Sequence, residues 1–184
     1  MTGDITLAGA SQALAAQAAI FEALLLLASA GHKAVKWTHL LSVVRQFGGV
    51  PDSLSAAALS AVIAAELTAA ALLVMPADRA AGGLLATVLW TLYLALIVRA
   101  VLAGRRDLDC GCSFGSRAPA LGFPQIARNS VLALLAAGIA WESARSASVP
   151  AEASQVLGGF ALLALYGAMD QVMTSRPLRT GQAS

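Results

Sequence analysis

The chain has 184 residues and a net charge of +2; 58% of its residues are hydrophobic, 12% are charged, and the mean hydropathy is +0.74. A soluble domain carries about 25% charged residues, so half that fraction cannot cover a water-facing surface, and lipid is the expected solvent. The small net charge gives no argument for nucleic-acid binding, and the length suits a single domain over residues 1–184.

A spanning helix needs about 20 mostly apolar residues. The first such segment is 13–31, interrupted by Gln17 and Glu22. Its FEALLLLASAG run at 21–31 looks like a secretory signal, but no Lys or Arg precedes it. A cleaved signal needs a positive start, so the segment is expected to be a retained helix. Residues 33–53 follow. In them Trp37, Leu40, Leu41, Val44 and Phe47 recur at helical spacing, with Lys36, Arg45 and Gln46 opposite. This pattern predicts an amphipathic helix lying in the membrane interface, ended by Gly48-Gly49-Val50-Pro51.

The second span is 54–75, with Glu66 inside it, and the third is 81–102, with Arg99 near its end. Pro76 to Ala80 reads as a tight turn, making these two an antiparallel hairpin. A long polar break covers 103–123. The fourth span is 124–141, opened by Pro124, a residue suited to a first helical position. A fifth segment, 155–173, has a short apolar core and reads either as a span or as a helix packed on the bundle. The fold expected is therefore an all-α integral membrane protein. It has a four-helix transmembrane bundle, an interfacial helix after the first span and a fifth, C-terminal helix. With five spans, ten Lys and Arg fall on the side of the two long loops and two (Arg79, Arg145) on the other. The usual bias of basic residues then puts the long loops on the cytoplasmic side.

The long polar break holds Asp109-Cys110-Gly111-Cys112-Ser113-Phe114-Gly115, with the only two cysteines of the chain. Glycine between them lets the backbone bend sharply. A disulfide here would close a very small ring. It would add little as a staple, and strain would make it more oxidising, so an exchangeable redox couple fits better. Arg105, Arg106 and Arg117 in the same break and Arg128 in the next helix would stabilise a thiolate or anchor the loop at lipid headgroups. Arg128 near a helix start opposes the macrodipole and calls for a counter-charge, a thiolate or a headgroup. A thiolate carrier of a soft metal is an alternative; with no third cysteine and with His32 and His39 distant, no metal site is assigned. Inert thiols are the remaining reading.

Ionisable residues inside spans are costly and often functional. Glu66 reads as a proton-relay group, a partner for a basic residue or a structural hydrogen-bond acceptor, and Glu22 similarly. His32 and Lys33 end the first helix, where a cation favours the C-terminal dipole; capping is the plain reading. Asp170 reads as interfacial, and Trp37, Trp90 and Trp141 as interface or packing residues.

His32-Lys33, Gly49-Val50-Pro51, Glu66-Leu67, Arg105-Arg106 ahead of Cys110-Gly111-Cys112, Phe114-Gly115 and Arg128-Asn129 together resemble the MauE family of methylamine utilisation membrane proteins, related to the DoxX group. The resemblance covers roughly 18–140. Here Ser113 separates the cysteine pair from Phe-Gly, which the family commonly joins directly. The resemblance implies a membrane thiol–disulfide redox protein of the bacterial inner membrane that supports disulfide formation and maturation of the methylamine dehydrogenase small subunit. It further implies a periplasmic thioredoxin-like partner of the MauD type, and so a periplasmic cysteine pair, against the charge bias. Cys110 and Cys112 would carry the exchange, with Arg128, Asn129, Glu66, Lys33 and His32 in support. The layout also resembles the vitamin K epoxide reductase bundle, which makes a membrane quinone a candidate electron acceptor; no cofactor pocket is legible. Alternatives are a non-catalytic scaffold or transport subunit docking the thioredoxin-like partner, and the metal carrier.

Overall fold

The computed structural model describes residues 2–48, 51–104, 122–145 and 151–174, and among these it contains six α-helices and no strand. They are α1 (Thr2–Val35), α2 (Trp37–Gly48), α3 (Asp52–Val74), α4 (Arg79–Leu102), α5 (Phe123–Arg145) and α6 (Ala153–Thr174). Four stretches are long and apolar enough to cross a membrane: Gly9–Val35, Asp52–Val74, Pro76–Leu102 and Phe123–Arg145. These are the four spans expected from sequence, each extended by a few residues at one or both ends. The fifth segment is the helix α6.

Local chemistry sets most helix ends. Met75 precedes Pro76 and is extended (φ −79°, ψ 117°), as the proline ring demands of the residue before it; this stops α3. A single 3-10 turn, Pro76–Asp78, then leads into α4. At the far end of α4, Gly104 has φ 71° and its N–H reaches Val101 O at 3.1 Å, a left-handed stop that glycine adopts without strain. The amide of Gly122 donates to Gln125 Oε1 at 3.0 Å, and that of Glu152 to Gln155 Oε1 at 2.8 Å. These side chains return to the starts of α5 and α6, where backbone donors lack helical partners.

α1 is the central helix and touches all five others. Its buried positions are mostly small or slender: Ala16, Ala18, Ala19, Ala23, Leu25, Leu26 and Ala30. Small residues let helices approach closely where lipid supplies no hydrophobic drive for association. The other contacts are equally tight. A Cβ on Gly82 would lie 2.6 Å from Leu73 N, and one on Gly83 would lie 2.8 Å from Ala140 N. Gly158 and Gly159 bring α6 onto Gln17 and Ile20 of α1.

The outside of the bundle is apolar and much of the inside is not. Leu84, Val88, Leu92 and Leu96 form an exposed stripe along α4; Val131 and Leu134 on α5, and Leu157, Phe160, Leu165 and Met169 on α6, are exposed as well. Glu22, Glu66 and Asn129 are fully buried, and Lys33 is 5% exposed. That arrangement suits hydrocarbon as the surrounding medium, since water would drive both sets of residues the other way. α2 is amphipathic as expected: Leu40 is buried and Leu41, Val43 and Val44 are half-buried, while Thr38, His39, Ser42 and Arg45 face out.

Candidate functional site: a buried ion-pair cluster below the cysteine loop

The alternation of helix directions places the C-terminal end of α1, all of α2, the start of α3, the end of α4 and the start of α5 at one end of the bundle. The stretch between α4 and α5 that holds Cys110 and Cys112 leaves from and returns to that end. The pair itself, with Arg105, Arg106 and Arg117, lies outside the described residues.

Below this end sits the most polar part of the interior. Lys33 Nζ lies 2.7 Å from Glu66 Oε1, with both side chains almost wholly buried. Ser29 Oγ donates to the same oxygen at 2.8 Å and Tyr93 Oη at 2.6 Å, and Lys33 also donates to Ser29 Oγ. The Lys33 ammonium lies 5.0 Å from the centroid of the Tyr93 ring, within the range of a cation–π contact. One carboxylate oxygen thus gathers donors from α1 (Ser29 and Lys33) and α4, while Glu66 itself belongs to α3. Ser29 and Lys33 are one helical turn apart, so both face the same way. Tyr93 lies about 14 Å along α4 from its last residue, at 1.5 Å per residue. By the same rise Glu66 lies about 21 Å along α3 from Asp52, so the cluster is well inside the hydrocarbon depth.

This geometry corrects the capping expectation for Lys33: the ammonium turns into the bundle and pairs with Glu66 instead of solvating the end of α1. A buried carboxylate without a cation is far more costly than one with a cation and two hydroxyl donors. Among the readings of Glu66, pairing with a basic residue is the one realised. His32 is half-buried beside Lys33.

A second buried carboxyl lies deeper. Glu22 Oε2 accepts the Trp90 indole N–H at 2.7 Å. Trp90 and Tyr93 meet edge to face, with centroids 5.8 Å apart, so the two polar layers are stacked through aromatic rings. Trp90, 3% exposed, is a core residue with a polar task, whereas Trp141 is 65% exposed and lies under Arg145.

Arg128 and Asp170 form a second ion pair. Arg128 Nη1 lies 3.3 Å from Asp170 Oδ1, with side chains 14% and 11% exposed. A counter-charge for the arginine near the start of α5 is supplied by Asp170, which is packed four residues before the end of α6. Asn129, the next residue, points into the core and donates from Nδ2 to Gln125 O at 2.8 Å. Of the supporting residues expected from sequence, Lys33 and Glu66 come together; Arg128 and Asn129 diverge to different partners. Ser29 and Tyr93 were not anticipated. The available signals were a hydroxyl one turn before Lys33 and a tyrosine inside an otherwise apolar span.

A family model described as methylamine utilisation protein MauE matches residues 11–142. The methylamine utilization protein MauE of Paracoccus versutus is 34% identical over 126 residues, which is 67% of this chain and 68% of that one. Its counterpart from Paracoccus denitrificans is 32% identical over 151 residues, 80% of each chain. No solved structure matches.

Proposed function

This chain belongs to the MauE family of methylamine utilisation membrane proteins, and on that premise we propose that it is a membrane thiol–disulfide redox protein acting through Cys110 and Cys112. The observation that carries this reading is the position of its only two cysteines, one residue apart between two membrane-length helices whose ends lie together. A thiolate of a soluble partner attacks one sulfur of the Cys110–Cys112 disulfide. A mixed disulfide forms, the intramolecular bond breaks, and its electron pair leaves on the other cysteine. The second thiol of the partner then closes its own disulfide, leaving the pair reduced by two electrons and the partner oxidised. Reoxidation passes those electrons to a membrane quinone. The partner is a thioredoxin-like protein of the MauD type, and the final client is the disulfide-rich small subunit of methylamine dehydrogenase, on the periplasmic side of the inner membrane.

The buried residues serve this role by holding the loop ends. Lys33–Glu66–Tyr93 ties α1, α3 and α4 together below the pair, and Arg128–Asp170 fixes the start of α5, so that α4 and α5 present the cysteine loop from a rigid base. The test is genetic and chemical. Cys110→Ser and Cys112→Ser should each abolish maturation of the dehydrogenase. One of them should accumulate a mixed disulfide with the partner, resolved on a non-reducing gel. A membrane-impermeant thiol reagent should label the reduced pair in intact cells. Full maturation in either single variant would refute the proposal.

A further inference from the structure

α6 is not among the four stretches that are apolar enough to cross a membrane on composition alone, yet its packing follows the bundle axis. Near its start, a Cβ on Gly158 would lie 2.6 Å from the Gln17 side chain, and one on Gly159 would lie 2.6 Å from that of Ile20. Further on, the rings of Tyr166 and Phe21 meet edge to face with centroids 6.0 Å apart. Near its end, Asp170 Oδ1 lies 3.3 Å from Arg128 Nη1. From Gly159 to Asp170 the helix rises about 17 Å at 1.5 Å per residue. Its neighbours give the direction of that rise. Ser11 Oγ donates to Glu142 Oε1 at 2.6 Å, so the start of α1 lies beside the end of α5, and Arg128 belongs to the opposite end of α5. α6 therefore runs parallel to α1 and antiparallel to α5, towards the end from which the cysteine loop leaves. A helix lying flat in the interface would stay at one level and could not meet Gln17 and Arg128 in turn.

Length and surface agree with a crossing. The 22 residues of α6 make about 33 Å, against a hydrocarbon core of about 30 Å. Leu157, Phe160, Leu162, Leu165 and Met169 are exposed, while Leu163 and Tyr166 pack on the core. The Arg128–Asp170 pair sets α6 beside α5, so this apolar face adjoins the exposed Val131 and Leu134 of a membrane-length helix. The polar residues that flank the apolar run have internal partners. Gln155 Oε1 accepts the amide of Glu152 at the helix start, and Asp170 is held by Arg128. A paired carboxylate enters a low-dielectric surrounding at far smaller cost than a lone one, so the charge that weakens the apolar reading of α6 does not oppose its insertion.

We propose that α6 is a fifth membrane-crossing helix, with its outer face of Leu157, Phe160, Leu162, Leu165 and Met169 against lipid hydrocarbon. The crossing puts the start of α1 and the end of α6 on opposite sides of the membrane. It also brings the chain beyond Thr174, with Arg176 and Arg179, out on the side of the cysteine loop. Both stretches then face the same compartment and the same soluble partners. The inference stands on the packing of α1, α5 and α6 and does not depend on the redox reading.

The test is the sidedness of the two ends of the full-length chain in sealed membrane vesicles. One epitope tag precedes Met1 and a different one follows Ser184, and added protease removes only a tag that faces it. A crossing α6 exposes one tag in right-side-out vesicles and the other in inverted ones, and an impermeant thiol reagent reaches reduced Cys110 and Cys112 from the side of the second tag. Both tags on one side overturn the proposal, as does labelling of the cysteines from the side of the first tag. The untagged protein in lipid gives a second reading that no tag can disturb. A carbene generated at the bilayer centre should label Phe160, Leu162 and Leu165 as it labels the exposed stripe of α4. Label on α4 with none on α6 would equally overturn the crossing. Neither measurement scores thiol exchange, so the redox reading stands or falls separately.

Discussion

Replacing Lys33 by methionine removes its ammonium from the buried cluster and keeps the length of the side chain. Glu66 Oε1 then retains Ser29 and Tyr93, at 2.8 and 2.6 Å, but loses the ammonium at 2.7 Å. Breaking a buried pair from one side costs about 3–5 kcal/mol, chiefly because the remaining charge stays desolvated. Two hydroxyl donors remain, so Lys33→Met should fall near the lower end, at about 3 kcal/mol. Glu66→Leu should cost more, because the ammonium is left with only Ser29 Oγ and the Tyr93 ring. The double variant Lys33→Met/Glu66→Leu should recover most of the loss, since an apolar pair of similar volume is often neutral or better than the ion pair it replaces. Tyr93→Phe keeps the ring over Lys33 and removes one hydroxyl donor to a charged acceptor, about 1.5–3 kcal/mol. The assay is reversible unfolding in mixed detergent micelles, followed by circular dichroism, with the unaltered protein, the Lys33 and Glu66 single variants and their double variant closing a double-mutant cycle. Additive effects in the cycle, or single losses below about 1 kcal/mol, would refute a buried pair that depends on both partners.

Other outcomes follow from the packing. Gly83→Ala should destabilise by about 1–3 kcal/mol, because its Cβ would meet backbone atoms of Ala136 and Ala140 at 2.8–3.0 Å. Gly138→Ala, where nothing lies within 4 Å, should be neutral or stabilising by up to about 1 kcal/mol through helix propensity; unfolding midpoints of the two variants make the comparison. Arg128→Met and Asp170→Asn should each loosen α6 from α5, by about 1.5–3 kcal/mol for a hydrogen bond between charged groups, read as faster amide exchange along Ala153–Thr174. Trp90→Phe keeps the aromatic volume but strips Glu22 Oε2 of the indole N–H donor, so it should cost at least as much as Tyr93→Phe in the same unfolding assay.

The sequence by itself determined the class of molecule and most of its helices. Hydropathy fixes where a chain can be hidden in lipid, and Pro51, Pro76 and Pro124 act within a residue or two of themselves, so helix boundaries were legible to within a few positions. The amphipathic period of Trp37 to Phe47 is equally local. The family resemblance, too, was a matter of short motifs, and it agrees with the match over residues 11–142. Partner choice was not legible. Lys33 and Glu66 sit on different helices, and nothing in either neighbourhood states that α1 and α3 bring them within 2.7 Å. A lysine in the last turn of a helix has a satisfactory local explanation in the dipole, and that explanation was wrong because burial made the distant carboxylate the stronger claim. Arg128 repeats the point: its counter-charge came from a helix beyond the matched region, since α6 docks through Gly158 and Gly159 onto α1 and carries Asp170 alongside α5. Which polar groups meet inside a bundle is decided by helix rotation and register. Those are set by close glycine and alanine contacts summed over the whole fold, and only the tertiary structure holds that sum.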